Sequence, residues 1–519
     1  MRDVNRRKLH QWIYFGGLTL LAIGLPSSVF LMSVSQIILF LNWLIEGRFR
    51  EKFRRFWDNR AALVFASIYL VHLVALFYSS NWDYGVSTLR TRLPIFLLTL
   101  VVASSGPLPQ GYKRWILLAF SGSITVVSLF SLYVYFSGNF IDYRELSPFV
   151  SHIRLSLMVA LSVFSLFYLA RRGFQGQGFW QRFAYGLAGY HVLYLVLLHS
   201  LSGVAVFLAV ILVLLAKQVL TIPYPRRAAL LAAGSLLILI PGLLLALLWY
   251  NVTKETRIDG GALETFSSRG TPYMHHVENP MRENGYQVYI YVAEEELREA
   301  WNRVSTQDYD GFNHRGEPVK HVLIRYMTSL GLRKDAEGFE KLDDHDLQAI
   351  ERGVANARYT RWPWVVTRLH QSMWELQQYR LTGDPAGHSL AQRLEFWKAA
   401  CEAIREKPLF GWGTGDIREA SQYGLEQINS PLSFERWMKP HNQYLAFAVL
   451  FGIPGALWIL FAMVYPAARM NRFRHLPFLA FFVILWTSML NEDTIDTQAG
   501  LSFFVFFHTY FLFLKDHGE

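Results

Sequence analysis

The sequence predicts an all-α polytopic membrane protein of about 12 transmembrane helices, with one large, mainly helical loop domain between helices 9 and 10. Three observations lead there. The 519 residues are 52% hydrophobic and 16% aromatic but only 17% charged, too apolar for a soluble chain of this size. Runs of roughly 15–22 apolar residues recur, near the length an α-helix needs to cross the hydrocarbon core. Lys and Arg, finally, segregate to alternate connections between those runs.

The twelve runs are about 11–26, 28–46, 61–80, 93–106, 115–136, 155–170, 183–199, 203–216, 228–250, 446–466, 476–490 and 500–514. The stretch GLPSSVF leaves only a tight turn between the first two. No cleavable signal peptide is expected, because the first run lacks a small-residue cleavage site and leads into a second. One set of connections holds GRFREKFRRFWDNR, Arg171, Arg172, Arg226, Arg227, Arg469 and Arg472; the opposite set carries only Arg90, Arg92, Arg144 and Arg154. Basic residues accumulate on the cytoplasmic side, so both termini are expected inside. The net charge of +10 is thus a topology signal, not a nucleic-acid footprint.

This orientation divides the chain into an N-terminal bundle (1–250), an extracytoplasmic loop domain (251–440) and C-terminal helices (441–519). The loop domain is rich in helical patterns such as VAEEELREAWNRV and LAQRLEFWKAACEAIREK, and no internal repeat is evident. The single Cys401 excludes an internal disulfide and falls on the apolar side of its helix, as a core residue.

The C-terminal part opens with KPHNQYLAFAVLFGIPG, a His-Asn pair at the mouth of an apolar run. Two features accompany it. SLAQRLEFWKAACEAIREKPLFGWGTGD sets Arg393 on a helix that ends at Pro408 and the alternate glycines Gly411, Gly413 and Gly415. Such glycines allow close backbone approach and can leave N–H groups for an anion, although GxGxG is more often a plain turn. SPFVSHIRLSLMVAL brings His152 and Arg154 to the outer end of the sixth run. An arginine there either snorkels to headgroups or faces inward to bind phosphate.

RLEFW…EKPLFGWGTGD followed by HNQYLAFAVLFGIPG resembles the signature region of the O-antigen ligase/polymerase family of bacterial membrane glycosyltransferases, and NEDTIDTQAGLSFFVFF resembles its last outer loop and span. The specific part of the resemblance covers residues 385–510. It implies transfer of a glycan from an undecaprenyl diphosphate carrier to an acceptor hydroxyl at the periplasmic face of the inner membrane. The partners would be that lipid-linked donor, a lipid A-core or other glycan acceptor, and membrane lipid, with no metal or other cofactor. Carried over by motif, Arg393 would bind diphosphate through its planar fork, and His441 would activate the acceptor or orient the diphosphate. Asn442 and Tyr444 would hold the ring and shape the entrance. The family's Ser-Arg-Gly turn is missing: the stretch LHSLSGVAVF has Leu201 where the arginine would fall, leaving Arg154, Arg90, Arg92 or His199 as substitutes.

Ligation to lipid A-core is the favoured reading; polymerisation of O-antigen or exopolysaccharide and protein O-glycosylation share the motif. A metal-dependent transferase would need an acidic cluster, for which Asp83, Asp308 and Asp310, or His275, His276 and Glu278, are the candidates. A transporter would need charges within the spans, which instead carry His72, His191 and His508, expected as packed, hydrogen-bonded groups. Reporter fusions at residues 55 and 330 should give opposite cytoplasmic and periplasmic signals; matching signals would reverse the orientation.

Overall fold

In hydrocarbon the backbone has no partner but itself, and each of the twelve apolar stretches accordingly lies on a helix. The computed structural model describes residues 2–138, 140, 143–223, 226–255, 263–432 and 439–516. The first half runs through α1 (Arg2–Ser27), α2 (Val29–Glu46), α3 (Phe49–Asp58), α4 (Arg60–Leu76), α5 (Trp82–Arg92), α6 (Pro94–Ser104), α7 (Tyr112–Ser137), α8 (His152–Tyr168), α9 (Gly178–Leu197), α10 (Leu201–Val219) and α11 (Arg226–Thr253). There follow α12 (Glu294–Val304), α13 (Val319–Ser329), α14 (Ala336–Phe339), α15 (Asp344–Glu351) and α16 (Trp364–Thr382). The chain closes with α17 (Ser389–Glu406), α18 (Ile417–Gln427), α19 (Gln443–Arg469), α20 (Leu476–Ser488) and α21 (Gln498–Leu512).

Among the described residues, seven helices are long and apolar enough to cross a membrane, or up to eight if the bent α3–α4 pair is one span. The remaining apolar helices are shorter or more polar, so the chain is a multi-pass membrane protein without twelve crossings being established by length alone. The basic stretch GRFREKFRRFWDNR is not a loop. It forms α3, which meets α4 at 92° with Asn59 capping the corner through Ala62 N (3.1 Å).

Two compact units emerge: Met1–Ile222 with Arg393–Glu519, and Pro223–Gln392. They depart from the sequence boundaries at 250 and 440. The ninth apolar run belongs with the loop domain, and Arg393 onward belongs with the spans. In the first unit α4 packs on α19, α1 on α2 and α7, and α8 on α9 and α20, around a core that includes the almost wholly buried α21. Cys401 corrects the expectation of a core residue: it is exposed, while Ala399, Ala400 and Ala403 point inward. One 100° helical step from Ala400 carries its side chain out of the packed face.

His191 is satisfied on both ring nitrogens, by Ser162 Oγ (2.9 Å) and Thr125 Oγ1 (3.0 Å). His72 bonds Ile68 O through Nδ1, but its Nε2 and that of His508 are buried without a partner. Packing surrounds them: His508 stacks on Phe65 at 4.0 Å and His72 meets Phe451 edge-on.

The second unit holds its own core of Leu297, Trp301, Tyr309, Leu323, Tyr326 and Met327. It also contains a repeat that the sequence analysis missed. Phe266-Ser-Ser-Arg-Gly-Thr-Pro272 and Phe312-Asn-His-Arg-Gly-Glu-Pro318 share Phe-x-x-Arg-Gly-x-Pro and fold identically. In the first hairpin Ser267 Oγ accepts the amides of Arg269 (3.2 Å) and Thr271 (3.1 Å). In the second, Asn313 Oδ1 accepts those of Arg315 (2.9 Å) and Glu317 (3.0 Å). Gly270 and Gly316 take φ of +83° and +76°, a conformation that costs glycine nothing. Seven residues with four identities are too short a signal for periodicity; the shared hydrogen-bond pattern reveals it.

Candidate functional site

The His-Asn pair lies where α19 begins. Asn442 is its N-cap, with Oδ1 accepting the amides of Tyr444 (3.1 Å) and Leu445 (3.2 Å). Asn442 therefore shapes the helix entrance, and Tyr444 is tied by its hydroxyl to Trp486 O (2.8 Å). His441 precedes the cap in the left-handed region, φ +50°, which a non-glycine residue adopts only when its surroundings hold it there. Those surroundings are specific. Trp397 Nε1 on α17 donates to Pro440 O (2.9 Å), Phe396 sits with its ring 6.3 Å from the imidazole, and Gln443 N donates to Met489 O (2.9 Å).

The other wall is the loop between α20 and α21, which carries Glu492, Asp493 and Asp496. Arg393 Nη1 donates to Asn491 O (2.8 Å) and its Nη2 to Glu492 Oε1 (2.8 Å). Asp496 is gripped by buried Arg92, by Lys439 Nζ (2.7 Å) and by Gln443 Nε2 (3.3 Å). Asp493 Oδ2 stands 3.8 Å from His441 Nδ1, and its Oδ1 is buried without a partner. Arg154 donates Nη1 to Ser151 Oγ (2.9 Å); its Nε is buried and unbonded, and it feels the charges of Glu492, Asp493 and Asp496. His152 is the partly buried first residue of α8.

The structure thus gathers Arg393, His441, Asn442 and Arg154 around one acidic loop. Leu201, where the family arginine would fall, opens α10 under a Ser200 cap, and Ser202 accepts weakly from Asn491 Nδ2 (3.4 Å). Arg154 reaches the same loop electrostatically from α8. Arg92 spends Nη1 on Ile495 O and Nη2 on Asp496, and its Nε is buried without a partner.

Burial above all holds the His441 imidazole below its usual value, joined by Arg393. Burial pushes the Asp493 carboxyl up to about 7, with Asp496 adding to it. Burial works against Asp496 as well, but Arg92 and Lys439 outweigh it and keep that carboxyl far below the usual range. An ordinary His–Asp pair would move the other way. Here the surrounding cations act on the histidine and the neighbouring carboxylates on the aspartate, so a neutral imidazole faces a carboxyl that titrates near neutrality.

Gly413 and Gly415 are corrected. Gly413 N donates to Leu450 O (2.9 Å) and Gly415 N to Ser79 Oγ (3.0 Å), so neither amide is left for an anion. Their lack of a side chain serves packing instead: a Cβ on Gly415 would stand 2.1 Å from Asn81 O and one on Gly411 2.5 Å from Gly452 N. The loop is a clasp between the α4–α5 corner and the break in α19, where Gly452 takes φ +67°.

The metal candidates do not converge. Asp310 pairs with Arg298 (2.7 Å), and His275 spends both ring nitrogens on Glu264 O and Tyr291 N. The one cluster of metal-ligand type among the described residues, Asp343, His345 and Asp346, is an exposed capping box for α15.

Comparison with known families is decisive for part of the chain. Residues 365–460 match the O-antigen ligase family model. Over these residues the chain is similar to O-antigen ligases. That match runs from α16 into α19 and includes Arg393, the glycine clasp and His441; it marks a membrane glycosyltransferase of the O-antigen ligase/polymerase type. No curated protein matches the chain. The sequence reading had placed Arg393 and His441 in this domain. It did not single out Asp493, Asp496 or Lys439; NEDTID alone, three carboxylates at a membrane edge, could have signalled a loop in need of cations.

With His441 as the base of a glycosyl transfer, the electrostatics of this site set a pH dependence. A base whose value is depressed stays neutral at pH 7 and is lost only as pH falls through that lower value, so the acid limb of the transfer rate should reach its midpoint below pH 6.5. Glu492 is a charge that raises the His441 value; Glu492→Gln should shift this midpoint to still lower pH whatever happens to the maximal rate. A midpoint that stays put or rises, in initial rates measured against pH, would detach the limb from His441.

Proposed function

We propose that the protein transfers a glycan from an undecaprenyl diphosphate carrier to an acceptor hydroxyl at the periplasmic face of the bacterial inner membrane, with lipid A-core as the acceptor. The observation that carries this reading is a neutral imidazole, held in a left-handed turn between Asp493 and the cations Arg393 and Arg154.

With Nδ1 turned to Asp493, His441 keeps Nε2 for the acceptor. As the hydroxyl oxygen bonds the anomeric carbon, its proton passes to Nε2, and the bond from that carbon to the diphosphate oxygen breaks with its electron pair leaving on the diphosphate. General-base assistance of this kind contributes about 10²–10⁴-fold. Asp493 faces the imidazolium that forms and stabilises it. Arg393 and Arg154 offer N–H donors to the departing anion, Arg154 with a guanidinium that no carboxylate occupies among the described residues. His152, at the same helix end, borders the donor side.

The left-handed φ of His441 dictates how this is tested. Alanine there costs roughly 1–2 kcal/mol in backbone strain, whereas asparagine visits the region readily. His441→Asn should therefore keep the fold and abolish transfer, and Arg393→Lys should retain a small part of it, because a point charge replaces a fork. Deletion of the gene should leave long polymer on the lipid carrier and an uncapped core, corrected by wild type and not by His441→Asn. Core plus one repeat unit on the gel would make the protein a polymerase; unaltered lipopolysaccharide with altered glycoprotein would make the acceptor protein.

Because guanidinium groups occupy the place of a cation, transfer by the purified protein should survive exhaustive chelation. Loss with EDTA, restored by Mg²⁺ or Mn²⁺, would overturn the arginine-based leaving-group chemistry.

A further inference from the structure

The glycine clasp builds more than a corner. Asp416, at its end, accepts the amides of Ser80 (2.7 Å) and Asn81 (2.8 Å), while Asn81 Oδ1 caps Tyr84 N (3.1 Å) and its Nδ2 donates to Glu419 Oε1 (3.2 Å). Between the start of α5 and α18 this leaves an open cavity of about 420 Å³ lined by Ser80, Asn81, Trp82, Asp83 and Glu419. The Trp82 ring is 49% exposed, yet Glu419 Oε2 is buried with no partner. The cavity adjoins the transfer site: Tyr84, next to Asp83, is close enough to Lys439 to act on its ammonium, and Lys439 is two residues from His441.

The chemistry of this lining selects a class of ligand. It offers two carboxylates, an amide and an aromatic face but no cation, which disfavours a diphosphate. A sugar ring is the complement: its hydroxyls donate to Asp83 and Glu419, and its C–H face lies against an indole. We infer that the Trp82–Asp83–Glu419 cavity is a subsite for a neutral sugar of the glycan, separate from the phosphate-binding arginines. This rests on the glycosyl-transfer reading above and adds to it where the sugar is held. The clasp thereby acquires a role its amides do not have, since it fixes Asn81 and hence both the α5 cap and the Glu419 carboxylate.

The test uses the full-length protein in lipid nanodiscs and, as probe, the oligosaccharide released by mild acid from the strain's own lipid-linked glycan, followed by saturation-transfer NMR. Wild type should saturate the sugar protons. Trp82→Ala and Glu419→Gln should each raise the Kd about tenfold, the scale of one lost stacking or charge-assisted contact. His441→Asn should bind as wild type does. Trp82→Phe, which keeps an aromatic face at an exposed position, should lie between and guards against a folding defect. Unchanged affinity in Trp82→Ala and Glu419→Gln, equal loss in His441→Asn, or no binding to wild type overturns the subsite. Transfer measured in parallel separates the two claims: Trp82-dependent binding without transfer removes the reaction and leaves the subsite, whereas transfer with Trp82-independent binding removes only the subsite.

Discussion

Everything at the outer mouth of α19 depends on one buried carboxylate. Asp496 has almost no solvent of its own, and it stays ionised because Arg92, Lys439 and Gln443 surround it. Removing one partner of such a buried pair costs about 3–5 kcal/mol, because the remaining charge has nowhere to turn. The three partners come from α5, from the approach to His441 and from the first residue of α19, so satisfying the carboxylate also fixes those segments. Gln443 adds a second tie by accepting Ile495 N at 3.2 Å. His441 can occupy a strained φ only because both of its flanks are held in this way.

Charge balance follows from the same loop. Glu492, Asp493 and Asp496 face Arg92, Arg154, Arg393 and Lys439, so the cluster carries one cation more than carboxylates, and Arg92 and Arg154 each keep a buried, unbonded Nε. A fully neutralised mouth would offer an anionic leaving group nothing. A strongly cationic one would be expensive to bury beside lipid. A carboxyl at Asp493 that titrates near neutrality lets the cluster adjust by one proton, and under the proposed reaction that adjustment lies next to the imidazole that gains a positive charge.

What was legible in the sequence was whatever hydropathy and local motif encode. All the apolar runs are helices, and Arg393 and His441 fall at one site, because a conspicuous histidine at a span mouth and an arginine before a helix stop are local patterns. Other features were illegible for physical reasons. The basic stretch at residues 48–60 read as a loop, since its three exposed aromatics Phe49, Phe53 and Trp57 only form a face once wound at 3.6 residues per turn. Gly413 and Gly415 read as anion donors because a glycine pattern does not tell whether the missing Cβ makes room for a ligand or for backbone. Asp493 carries no signal in isolation; its properties come first from burial, then from Asp496 three residues on, and from Lys439 and Glu492 beside it.

The glycine clasp and the acidic loop solve one problem from two sides. Under the proposed reaction, a donor held by its lipid would reach the site with its phosphates near the membrane edge and its sugars outward, so the groups that meet them could not share one environment. Phosphate oxygens need donors with permanent charge, which the arginines on α8 and α17 provide. Sugar hydroxyls donate as well as accept, and a cationic wall would leave their protons unpaired. In the proposed subsite, the corner at Ser80–Asp83, braced by Asp416, would provide acceptors at a place where the α19 approach passes close by. Placing the two proposed kinds of recognition on different helices, joined through backbone contacts that only glycine permits, would keep the carboxylates of one from cancelling the arginines of the other.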